Sequence, residues 1–331
     1  MAYTTIDNPE LYFQVKTYSG NSSTQSITLD GSENMQPDWV IIKNRGAANN
    51  WRLADSVRSA DNSLMTNLAN EASDLADTIT SFDSDGFSLG NNGSYVNDIN
   101  ATSNNYVAFC WKESATAGFD ILSHTGTGSA HTISHNLSAK PRSIMNKGVS
   151  HDHAWTVQHG GIGATFSLVL NTAAGKDDSA TQWNDTEPTS SVFTVGTNGQ
   201  VNTNTSTYIT YLNCDIQGFS KFGQYEGSGS TTDNTFVYTG FAPAMIIVKA
   251  VDTDNQWNVF DNKRNTRNPK DARIWLDSSD AETSYASFDF LSNGFKVRNN
   301  SVGIGTADTF VYWAWARAPL VNSSGAPGNA V

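Results

Sequence analysis

All six histidines of this 331-residue chain fall between His124 and His159, and two of them form the triplet His151-Asp152-His153. Alternate side chains of an extended segment face the same way, so His151 and His153 could turn toward one metal ion or titrate together. His131 and His135 could approach from the adjacent connection. Asp83 and Asp85, in the stretch DSDG, could open a calcium loop, but Leu89 and Gly90 stand where oxygen ligands belong. Thr189 and Ser191, and then Leu291 and Asn293, occupy the corresponding places further along, so the pattern reads as a turn. Asp177, Asp178, Asp185 and Glu187 lie in polar, loop-like sequence. No GxSxG, HExxH or P-loop occurs, and no run of closely spaced acids suits glycoside hydrolysis. The expectation is no enzyme, no cofactor and no metal. The candidate contact residues are His151, Asp152 and His153, together with Trp183 in QWNDTEPTSS, a ring able to stack on a sugar face.

The elements that position these residues follow from a repeat. PDWVIIKNRGAANNW begins at Pro37, PRSIMNKGVSHDHAW at Pro141 and PAMIIVKAVDTDNQW at Pro243. Each phrase starts with Pro, carries Lys at its seventh place (Lys43, Lys147, Lys249) and ends with Trp (Trp51, Trp155, Trp257). The phrases are 104 and 102 residues apart; the closing runs YVAFCW, YITYLN and FVYWAW recur every 102, and the openings YSGNSS, HTGTGS and YEGSGS, at Tyr18, His124 and Tyr225, also recur about every hundred. That period is too long for a solenoid unit and suits a whole sandwich domain.

Within a copy, WVIIK and MIIVK read as buried strands, and the residues after Trp51 and Trp257 alternate as a return strand does. The histidine triplet therefore sits in the loop between strand and return strand, opposite Ala47 and Asn49 and opposite Thr253 and Asn255. Asp85-Gly86 and Asn293-Gly294 predict hairpin turns with glycine at positive φ. The closing runs look apolar on both faces and hence central. Only residues 67–77 suggest a short helix. The predicted fold is all-β: three tandem antiparallel β-sandwich, jelly-roll-like modules of about 100 residues. They span residues 11–113, 118–216 and 218–318, between an N-terminal anchor segment (1–10) and a C-terminal tail (319–331). Trp51, Trp155 and Trp257 are expected in equivalent core positions.

Charged residues make up 16% of the chain and the net charge is −12. That balance excludes a nucleic-acid groove and docking on anionic lipid. No apolar run is long enough to span a membrane, and the first residues lack the pattern of a signal peptide. Cys110 and Cys214 cannot build a disulfide framework and read as buried free thiols.

FDSDGFSLG, NNYVAFCWKE, TGTGSAHTISHNLSAKP, WNDTEPTSSVFTVG and FVYTGFAPAMIIVK together resemble a family of tandem-module proteins encoded by marine tailed bacteriophages. Its members are often labelled only as a phage domain or a tail-fibre protein. The resemblance runs from about Tyr3 to Pro319 and departs in the second copy, at RSIMNKGVSHDHAW. It implies a virion structural protein, first a peripheral tail-fibre or adhesin-type component meeting host glycans or outer-membrane receptors. A capsid decoration or tail-assembly protein without receptor role is the alternative, and a soluble lectin the third. It implies no catalytic residues. The expected partners are other virion proteins and further copies of the chain, a homotrimer first, with residues 1–10 as the attachment. The loops 45–50, 148–154 and 250–256 differ most among the copies and are the expected display surface.

Overall fold

Both faces of the strand Asn105–Trp111 are buried, which is why its sequence shows no polar alternation. Val107, Phe109 and Trp111 point to one side, and Tyr106, Ala108 and Cys110 to the other. The computed structural model, which describes residues 2–91 and 93–328, is all-β with antiparallel ladders throughout.

Three sheets share one strand order. In the first, Phe13–Ser19, Asn105–Trp111, Trp39–Asn44, Arg52–Asp55, Ser59–Leu64 and Ser73–Asp74 lie side by side. The second repeats that order with Phe119–Thr125, Thr207–Asn213, Ser143–Gly148, Thr156–His159, Phe166–Val169 and Asp177–Asp178. The third runs Ser220–Glu226, Thr309–Pro319, Phe241–Ala250, Asn258–Asp261, Lys270–Trp275 and Thr283–Leu291, then continues into Gly294–Val297 and Phe236–Tyr238. Small sheets cover one face of the first two, giving each a sandwich-like form. Gln25–Ile27, Gly86–Leu89 and Ile79–Asp83 enclose one apolar cluster with the first sheet; His131–Ser134 and Val192–Val195 enclose another with the second.

The opposite faces of all three sheets meet in one common core. Trp39 of the first stacks on Tyr211 of the second at 4.5 Å between ring centres, and Trp111 meets Trp315 of the third edge-on at 5.3 Å. In the first two copies one face of the closing run serves the local cluster and the other this common core; in the third both faces belong to the common core.

Some expectations are corrected. Residues 67–77 form no helix; their amides and side chains bond outward instead, Asn67 Oδ1 accepting from the Trp51 amide and the Ala72 amide reaching Val149 O. Single helical turns stand elsewhere, at Val96–Ile99, Ala180–Trp183 and Gly199–Asn202. Gly86 takes φ +105°, as its turn predicts. Gly294 lies outside the left-handed region and is needed for closeness: a Cβ there would stand 2.0 Å from Val237 O. Residues 2–10, within the expected anchor segment, pack onto the sheets and the tail. Ile6 enters the common core, Thr4 bonds to Gln217 O, and Asp7 accepts from the Ser323 amide of the tail. Met1 and residues 329–331, which belong to the expected anchor and tail, lie outside the described residues.

Candidate functional site

The residues that recur in the repeated phrase meet at three joints between copies. A lysine in the middle of a buried strand must find acceptors for its ammonium, and a tryptophan at the mouth of the return strand must satisfy its indole N–H. Lys43 donates to Asn44 O, Asn49 O and, across the joint, to Ser279 O at 3.0 Å. Lys147 donates to Gly148 O and to Ala69 O at 3.1 Å; Lys249 donates to Ala250 O and to Ala173 O at 3.0 Å. The tryptophans follow the same circuit. Trp51 Nε1 donates to Trp275 O, Trp155 Nε1 to Met65 O, and Trp257 Nε1 to Val169 O. The first copy thus reaches the third, the second reaches the first, and the third reaches the second. All six side chains are fully buried.

Backbone bonds run through the same joints: Glu282 N to Arg45 O, Ala72 N to Val149 O, and Lys176 N to Val251 O. Arg45 adds a two-pronged pair with Glu282 at 2.8 and 2.9 Å, and Lys176 a pair with Asp252 at 2.6 Å. Burial holds each of the three lysines down to about 8.

The histidines do not converge, and no group of three or more His, Cys, Asp or Glu among the described residues could hold a metal. His151 and His153 stand ring to ring at 4.4 Å, both held below the usual range chiefly by burial. Asp152 between them is engaged in a joint, its carboxylate accepting from the Glu71 amide at 2.7 Å. Asp254 does the same for the Gly175 amide. The loops expected to be displayed therefore face the neighbouring copy over part of their length.

His159 sits in the interior against Trp313, 4.4 Å between ring centres. Its Nδ1 accepts from the Gly161 amide and its Nε2 donates to Tyr312 O, a pattern that only the neutral ring can make. Burial pushes it down to about 3. The unfolded chain binds a proton near pH 6.5 and the folded chain does not, so stability falls as pH drops from about 6.5 toward 3. The expected slope is about 1.4 kcal/mol per pH unit for this ring, and His159→Gln is expected to flatten the acid limb of a urea-midpoint profile. An unchanged acid limb would deny His159 that role.

Trp183 was expected as an exposed contact residue, and this is corrected: it is fully buried, packed with Leu137, Ile144 and Phe193 under the small sheet of the second copy. It ends the one-turn helix Ala180–Trp183, whose cap Asn184 is left-handed; Asn184 and Asp185 are exposed, while Gln182 is buried beside the ring and donates to Gln200 Oε1. Asp83 accepts from the Ser81 and Ser88 hydroxyls and Asp85 from the Met35 amide, which are turn contacts. Glu187 pairs with Lys140 and caps the Ala164 amide. An aromatic surface lies instead on the third copy, where Arg273 is flanked by Trp275 and Tyr285 in a cleft of about 620 Å³. Tyr285 is 44% exposed. No helix among the described residues is long and apolar enough to cross a membrane.

A family model described as a domain of unknown function, DUF7483, matches residues 8–319. The chain belongs to that family. The matched span takes in all three copies and all three joints of this family member. No curated protein matches it.

Proposed function

We propose that the chain is a structural protein of a bacteriophage virion, a peripheral tail-fibre or adhesin-type component with no catalytic role. In this reading three β-sandwich modules close around a pseudo-three-fold axis. The observation that carries it is the circuit of joints. Each copy lends a buried lysine and a buried tryptophan to a neighbour, so the copies form one stiff body rather than beads on a string. Stiffness without a reactive centre suits a part that bears load and meets a surface. The resemblance to phage tail proteins points the same way. A body with internal three-fold repetition fits a three-fold seat formed by other virion proteins, and it makes the homotrimer expected from sequence unnecessary. Electron cryo-microscopy of the intact particle tests this: density for single chains at the tail periphery is expected, and particles lacking the chain would sink the proposal.

A second reading, a capsid decoration or tail-assembly protein without receptor role, is favoured by the engagement of Asp152 in a joint. Changing His151, Asp152 and His153 together to Ala removes that acceptor and is expected to lower stability by about 1 kcal/mol. On the adhesin reading the same variant also loses adsorption to host cells. Adsorption that holds, with only the small stability loss, selects the second reading.

A further inference from the structure

The loop between the fourth and fifth strands of the sheet lengthens along the chain. It is residues 56–58 in the first copy, 160–165 in the second and 262–269 in the third. The long third loop frames a cleft of about 450 Å³ against the beginning of Phe241–Ala250, the end of Thr283–Leu291 and Arg317. Four cationic side chains line it (Lys263, Arg267, Lys270 and Arg317), and no carboxylate does. A chain with 20 Lys and Arg against 32 Asp and Glu has thus gathered one-fifth of its cations around a single opening.

The cations are unequally engaged. Lys270 is 4% exposed; its ammonium donates to Asn265 O at 2.7 Å and Arg267 O at 3.3 Å and stands 5.3 Å above the Phe290 ring. Lys263 has one distant partner, Asp30 at 3.9 Å, which Lys16 already holds. Among the described residues no carboxylate pairs with Arg267 or Arg317; of the nearby acids, Asp261 pairs with Arg264, and Asp289 pairs with Arg298 through Oδ2 while its Oδ1 is buried without a partner. Asn262, also lining the cleft, carries a buried side-chain oxygen with no partner. A partly enclosed group of unpaired cations repels itself, and an anion relieves that repulsion.

We propose that this cleft binds a small oxyanion-bearing molecule of about monosaccharide size. Its carboxylate, phosphate or sulfate group lies between the guanidinium groups of Arg267 and Arg317 and the ammonium of Lys263. Its uncharged body lies toward Phe290, with the Asn262 amide bonding a hydroxyl. The guanidinium fork matches two oxygens of such a group, and a volume of about 450 Å³ falls in the range of small-molecule sites. The equivalent loops of the first two copies are shorter, so one molecule per chain is the expected stoichiometry. The inference is independent of any place on a virion.

Calorimetric titration of the full chain with glucuronate, inorganic phosphate, inorganic sulfate and glucose tests it. Saturable binding of glucuronate near one equivalent is expected, with none of glucose, and with weakening as sodium chloride is raised. Arg267→Ala combined with Arg317→Ala is expected to weaken it about 10-fold or more. Both residues lie at the surface of the cleft, and an unchanged melting profile certifies that the double variant is folded. Saturation by phosphate or sulfate alone keeps the oxyanion site and assigns an inorganic or phosphorylated source. Glucose binding as well as glucuronate, full binding by the folded double variant, or no saturation by any anion would each overturn the proposal.

Discussion

Trp155→Ala is expected to bring the whole chain down in one transition, at a cost of about 3–5 kcal/mol, the usual range for a large aromatic lost from a core. Trp155 fills the common core, and its indole N–H also satisfies Met65 O of the first copy. Removing it empties a space shared by two copies and leaves the half-buried Met65 carbonyl without its donor. Two native thiols report on this separately. Cys110 belongs to the first copy and Cys214 to the second; both are buried, free and held far above the ordinary thiol range by burial. Labelling with a thiol reagent across a urea series is expected to expose both at the same, lowered midpoint. Cys110 staying protected while Cys214 reacts would mean that the copies unfold independently, and the common core would then contribute little.

The second large effect is on pH. Lys43, Lys147 and Lys249 ionise near 8 in the folded chain because burial disfavours their charged form, whereas the unfolded chain holds those protons to about 10.5. Below pH 8 the penalty for three buried charges is fully present. As pH rises from 8 to 10 the folded chain sheds protons that the unfolded chain keeps, so stability climbs. The upper bound is about 1.4 kcal/mol per lysine per pH unit, and a neutral amine still donates to the carbonyls across each joint. Above pH 10 the climb ends, since Tyr18, Tyr211 and Tyr225 are held well above their ordinary range by burial and begin to favour the unfolded state. Guanidinium midpoints measured between pH 7 and 10 are expected to rise, and Lys249→Met to remove about a third of the slope. A flat or falling profile would show that the ammonium groups reach water.

The repeat, the strands and the centrality of the closing runs were legible because they are local: a run such as YVAFCW carries its own two-sided burial in its composition. The reason for the repeated Lys and Trp was not. Their partners stand far away along the chain, as Trp51 does from Trp275 and Lys43 from Ser279, and a pattern within one copy cannot name a carbonyl in another. The same distance hid the true setting of residues 67–77, whose weak helical spacing yields to bonds made across a joint. Trp183 misled because its neighbours Gln182, Asn184 and Asp185 are polar; Asn184 and Asp185 are exposed just past the helical turn, and Gln182 is buried beside the ring with its amide bonded to Gln200. The basic cleft was not legible, although Lys263, Arg264 and Arg267 are close in sequence. Arg317 and Phe290 come from other strands, and Arg264 turns inward to Asp261.

Because the three joints are written by different residues of one chain, a mutation alters one of them and leaves two intact. In an assembly of identical subunits every change is made three times at once, and a defect or a gain is tripled with it. Joining the copies end to end removes that constraint. One sector is free to specialise, as the long loop of the third copy has, while the other two preserve the frame.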